Sequence, residues 1–125
     1  MPPEPPALWS FLPWGYLLTV AIEVPVLLVG LSAHHPLRDR LLAGLALTAY
    51  TYPIVVCVLP PLVWGPWGWG AYLVVAETFA PVAECLLFRA AFGPAPYRRA
   101  AVQDAAAIVL ANLLSFGLGL LLPQV

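Results

Sequence analysis

Apolar residues run along this chain in four long blocks separated by three short connectors. The blocks cover roughly Leu12–Ala33, Leu41–Val63, Gly70–Phe92 and Ala101–Leu122. A bilayer's hydrocarbon core is about 30 Å thick and a helix rises about 1.5 Å per residue, so about 20 mostly apolar residues suffice to cross it. Each block is that long. The pattern predicts an all-α fold: an integral membrane four-helix bundle of two antiparallel transmembrane hairpins, built as a single membrane domain over residues 1–125. Ahead of the first block, residues 1–10 carry Pro2, Pro3, Pro5 and Pro6, which predict an extended, non-helical arm.

Polar residues interrupt the blocks at helical spacing. Glu77, Pro81 and Glu84 stand at i, i+4 and i+7, on one face of one helix. Tyr16, Thr19, Glu23 and Gly30 share a face of the first block, and Asp104, Ile108, Ala111, Asn112 and Ser115 form a stripe on the fourth. Thr48, Thr51 and Tyr52 fall in the middle of the second. A carboxylate at mid-bilayer costs about 2.5–3.5 kcal/mol even on the lenient insertion scale, so these residues are expected to face the bundle interior.

Composition narrows the class further. The chain is 62% hydrophobic and 9% charged, with a mean hydropathy of +0.92, against about 25% charged residues in ordinary soluble domains. A formal net charge of −1 with no lysine leaves no basic footprint for nucleic acid. The lipid bilayer is the expected partner, together with a homo-oligomer or a larger membrane complex, because four short helices enclose little volume.

The arginines fall on one side of the pattern and the tryptophans on the other. Arg38 and Arg40 follow the first block, and Arg89, Arg98 and Arg99 surround the junction of the third and fourth. The excess of positive charge in cytoplasmic connectors predicts a multi-pass protein of the cell membrane with both termini on the non-cytoplasmic side. Trp9, Trp14, Trp64, Trp67 and Trp69 then form an aromatic belt at the outer face. Asp104 is expected to pair with Arg98 and Arg99 near the start of its helix.

Candidate chemistry centres on the acids. Pro25, Pro53 and Pro81 each lie near the midpoint of a block, and a proline removes the hydrogen bond to the carbonyl four residues earlier. The carbonyls of Ala21, Ala49 and Glu77 are thereby released close to the acids. Broken helices beside carboxylates predict a midplane pocket rich in oxygen acceptors. Either the carboxyls hold protons and donate to those carbonyls, or a monovalent or divalent cation supplies the charge. The ion- or proton-binding residues are expected to be Glu23, Glu77 and Glu84, with Thr48, Thr51, Tyr52 and Asn112 as neutral partners. Glu23, Glu77 and Glu84 would be the ligands if the ion is a metal.

Other chemistries find less support. His34 and His35 are the only histidines, and two ligands fall short of the three or four protein groups of a zinc site. A haem would require histidine within the bundle, and no nucleotide-binding motif is present. Cys57 and Cys85 are expected to remain free thiols. No catalytic residue is predicted; Glu84 as general base for a lipid-borne substrate is a third reading.

Two resemblances bear on function. Glu84-Cys85-Leu86-Leu87-Phe88-Arg89 resembles the first motif of the CAAX-type intramembrane proteases, with Cys85 where that family has a second glutamate and no later histidine to activate water. The outline of four spans with a glutamate in the first is similar to the small multidrug-resistance exporters, which implies a dimeric transporter. The leading expectation is a transporter-like protein that binds or conducts a cation or protons through its midplane carboxylates. The alternative is a non-catalytic accessory or assembly subunit of a larger membrane complex.

Overall fold

The computed structural model describes residues 5–121, with side chains described for 12–118. Four long helices make up the described residues. Helix α1 spans Pro5–Gly30, α2 starts as Leu37–Pro53, α3 spans Trp69–Phe92 and α4 spans Arg98–Leu121. Beyond Pro53, α2 continues through two π-helical stretches, Ile54–Val58 and Pro60–Trp64, and ends in the short Gly65–Trp67 turn. All four are long and apolar enough to cross a membrane, and many of their large apolar side chains face outward, among them Val29, Val74, Leu86 and Leu113. In lipid that is the stable arrangement, since the surroundings are as apolar as the side chains. The chain is thus a multi-pass membrane protein by its fold.

The proline effects differ from expectation in two places. Helix α1 takes in Pro5 and Pro6, because proline in a first turn lacks only an N–H that would have no intrahelical partner. The remainder of the expected extended arm lies outside the described residues. Helices α1 and α3 also run through Pro25 and Pro81 as continuous α-helix. Only α2 yields, where Pro53 and then the Pro60–Pro61 pair widen the helix to π geometry.

The helices close into a ring in chain order: α1 packs on α2, α2 on α3, α3 on α4, and α4 back on α1. Two apolar layers fill it. The larger contains Leu27, Leu31, Leu47, Phe88 and Ile108 with the small residues Ala43, Ala107 and Ala111. The smaller contains Leu59, Tyr72 and Ala76, beside a cluster in which Trp64 lies 4.5 Å from Trp69 and 5.5 Å from Tyr72. Small residues set the closest approach. A Cβ added to Gly44 would lie 2.6 Å from Val24 Cγ2 and 3.2 Å from its Cα, so α1 and α2 touch almost backbone to backbone next to Glu23. Gly44→Val is therefore expected to push these helices apart and destabilise the protein by about 1–3 kcal/mol. Unfolding in detergent checks this; a loss comparable to that of an exposed-face substitution such as Ala46→Val would contradict it.

Candidate functional site

The ring order decides which polar stripes meet. Glu23 on α1 and Glu84 on α3 come from opposite helices, and each carboxyl reaches both α2 and α4. Thr48 Oγ1 donates to Glu23 Oε2 at 2.6 Å, and Ser115 Oγ lies 3.4 Å from Glu23 Oε1. Thr51 Oγ1 donates to Glu84 Oε2 at 2.8 Å, and Asn112 Nδ2 donates to Glu84 Oε1 at 3.2 Å. Thr48 and Thr51 are separated by one helical turn, as are Asn112 and Ser115, and the pairings cross between α2 and α4, so the two acids share one level of a single polar seam. Glu23 is 2% exposed and Glu84 3%.

The supply of donor hydrogens is short. Thr51 Oγ1 also lies 3.1 Å from the carbonyl of Leu47, and Ser115 Oγ lies 3.1 Å from that of Asn112. One hydroxyl carries one hydrogen, so it cannot serve both acceptors. Asn112 spends one amide hydrogen on the Ile108 carbonyl at 2.9 Å, a contact that also fixes which end of the amide is nitrogen. No arginine, lysine or histidine bonds to either acid among the described residues. Two ionised carboxylates here would be uncompensated charges in apolar surroundings, which is costly.

Of the seven residues expected in the site, the structure brings five together: Glu23, Glu84, Thr48, Thr51 and Asn112. Glu77 stands apart, two turns from Glu84, and its buried Oε2 has no hydrogen-bond partner among the described residues. Tyr52 packs edge-on against Tyr16 with ring centroids 6.5 Å apart and makes no bond to the acids. Ser115, which is not among the expected site residues, reaches Glu23; its place one turn after Asn112 on the same stripe is the available signal. The carbonyls of Ala21, Ala49 and Glu77 receive no side-chain hydrogen bond among the described residues, so the acids meet hydroxyls and one amide in place of the expected carbonyls. Cys57 and Cys85 are free.

A second polar cluster lies where the α1–α2 connector meets α4. Asp104 pairs with His35 rather than with Arg98 and Arg99: Asp104 Oδ2 is 2.9 Å from His35 Nε2, and Oδ1 accepts the Ser32 backbone N–H at 2.7 Å. Both partners are buried, whereas Arg98 and Arg99 are exposed. The reason is angular, since five or six residues along a helix put those arginines on a different face from Asp104. Arg40 fastens the connector, donating to the carbonyls of His35, Leu28 and Ser32 at 2.9, 2.6 and 3.0 Å. The connectors before α2 and before α4 thus share one end of the bundle, where His35 also lies 4.9 Å from the Phe88 ring.

No family model, curated protein or solved structure matches this chain.

Proposed function

We propose that this membrane protein conducts protons through its interior, with Glu23 and Glu84 as the central proton acceptors. One observation carries the reading. Each acid faces a hydroxyl, Ser115 or Thr51, that has a backbone carbonyl as a second acceptor. Such a hydroxyl donates to an ionised carboxylate, or accepts from a protonated one while passing its own hydrogen to the carbonyl. The pair is thereby satisfied in both protonation states, which a relay requires and a fixed structural contact does not. A carboxyl inside a membrane that alternates between states marks an ion or proton pathway. Glu77, with a buried unpaired oxygen, would extend the path toward the tryptophan cluster. The arginine-bearing end would face the cytoplasm, with the helices in two antiparallel hairpins.

Proteoliposomes loaded with a pH-sensitive dye and driven by an imposed potassium potential test this. Wild type is expected to acidify or alkalise the lumen faster than empty vesicles, and Glu23→Gln and Glu84→Gln are each expected to return the rate to that of empty vesicles. Wild-type flux no faster than empty vesicles, or full flux in both variants, would overturn the reading. Thr51→Val, which keeps shape but removes the hydroxyl, is expected to slow flux about a hundredfold, the lower end of the scale of lost general acid–base contacts; a rate equal to wild type removes the hydroxyl from the relay.

A second reading, an accessory subunit, draws on one feature. An apolar groove of about 540 Å³ runs between α1 and α4, lined by Pro25, Val29, Gly30, Ala106 and Leu110 among others. Stable co-purification of a larger membrane protein, lost on Ala106→Trp, would favour it.

A further inference from the structure

We propose that His34, His35 and Asp104 form a binding site for a divalent transition metal of the zinc class at the arginine-bearing end of the bundle. The site is independent of the interior acids. One ring nitrogen of each histidine and one carboxylate oxygen of Asp104 all lie within 4.8 Å of one another. Sequence spacing offered two adjacent histidines and no third ligand; the fold brings in the third from α4, 69 residues after His35.

The donor set suits such an ion. Imidazole nitrogen with a single carboxylate is the preference of zinc and its neighbours, whereas magnesium and calcium take oxygen ligands. Zinc binds nitrogen and oxygen at about 2.0–2.2 Å, which places tetrahedral ligands about 3.4 Å apart. His35 Nε2 and Asp104 Oδ2, now 2.9 Å apart, need to open by only about half an ångström to meet that spacing. His34 is exposed, so its ring would complete the set from the water side. Three protein ligands leave the fourth position to water.

The surroundings hold the ligands in place. Ser32 serves two of them: its N–H binds Asp104 Oδ1 at 2.7 Å, and its hydroxyl lies 2.8 Å from His34 Nδ1. Metal ligands are characteristically oriented by hydrogen bonds of this kind. Arg40 binds two carbonyls of the connector that carries both histidines, those of Ser32 and His35, and ties them to the Leu28 carbonyl in α1, so the loop needs little further ordering on metal entry. The hydrogen now shared by His35 and Asp104 is released as the metal takes its place. The bound ion would tie the α1–α2 connector to α4.

The test uses the full chain, purified in detergent through a tag without histidine, stripped with a chelator and titrated with Zn²⁺ or Co²⁺. One equivalent of Zn²⁺ is expected to bind, and Co²⁺ is expected to give the visible absorption of a four- or five-coordinate nitrogen and oxygen set. His34→Ala, at an exposed position, and Asp104→Asn are each expected to weaken Zn²⁺ binding about tenfold or more. Absence of saturable uptake, or wild-type affinity in His34→Ala, overturns the site and leaves His35 and Asp104 as a hydrogen-bonded clamp. Should Asp104→Asn fail to fold, His34→Ala alone decides.

Discussion

Replacing Asp104 by alanine is expected to lower the unfolding free energy by about 3 kcal/mol, while Arg98→Ala and Arg99→Ala each change it by less than about 0.5 kcal/mol. Asp104 accepts a buried backbone N–H at 2.7 Å and faces a buried imidazole at 2.9 Å. Its removal leaves both without a partner in a place that water reaches poorly, and each unsatisfied group costs about 1–3 kcal/mol. The arginines are exposed and touch no acid among the described residues, so their loss removes nothing of that kind. Asp104→Asn keeps one acceptor oxygen and is expected to fall between. Unfolding followed in detergent with chelator present separates this effect from any metal. An Asp104→Ala variant as mild as the arginine variants would mean that the His35 contact contributes little.

Asp104 separates what the sequence encodes locally from what only the fold decides. Charge proximity along the chain suggested Arg98 and Arg99, yet helical spacing already placed them on another face. The true partner, His35, depends on how α4 meets the first connector, which no local pattern encodes. The interior acids follow the same division. Helical periodicity identified Glu23, Thr48, Thr51, Glu84 and Asn112 as inward-facing, because a polar group facing lipid is costly. That Glu23 and Glu84 each bridge α2 and α4 follows from the ring order, a tertiary property. Glu77 shares a stripe with Glu84, yet the stripe did not give it a partner. Glu84 meets Thr51 and Tyr72 meets the carbonyl of Val55, and between these levels α2 carries Tyr52, whose ring packs on Tyr16, and Pro53 and Ile54, neither with a polar side chain. A mid-block proline predicts a break, but only those in α2 widen a helix, while α1 and α3 keep the α-helical path through Pro25 and Pro81.

Phe88→Ala is expected to raise proton flux about tenfold, since apolar constrictions gate conduction by excluding water. Phe88 is 5% exposed and stands one helical turn from Glu84, with its ring 4.9 Å from that of His35. Together with Leu27, Leu31, Leu47 and Ile108 it forms an apolar layer between the His35–Asp104 cluster and the interior acids. In a proton conduit that layer is the resistance, because no hydroxyl, carboxyl or imidazole lies within it to hand a proton on. Truncation to alanine leaves room for water beside Glu84, at a stability cost of about 3–5 kcal/mol, so folding is verified first by unfolding in detergent. Phe88→Leu, which keeps the layer filled, is expected to conduct as wild type does. The decisive comparison is the double variant Phe88→Ala with Glu84→Gln. If protons cross by way of the acid, flux falls back to that of empty vesicles; flux that stays high there comes from a leak around the acids, and no rise in Phe88→Ala alone means that the apolar layer is not what limits passage.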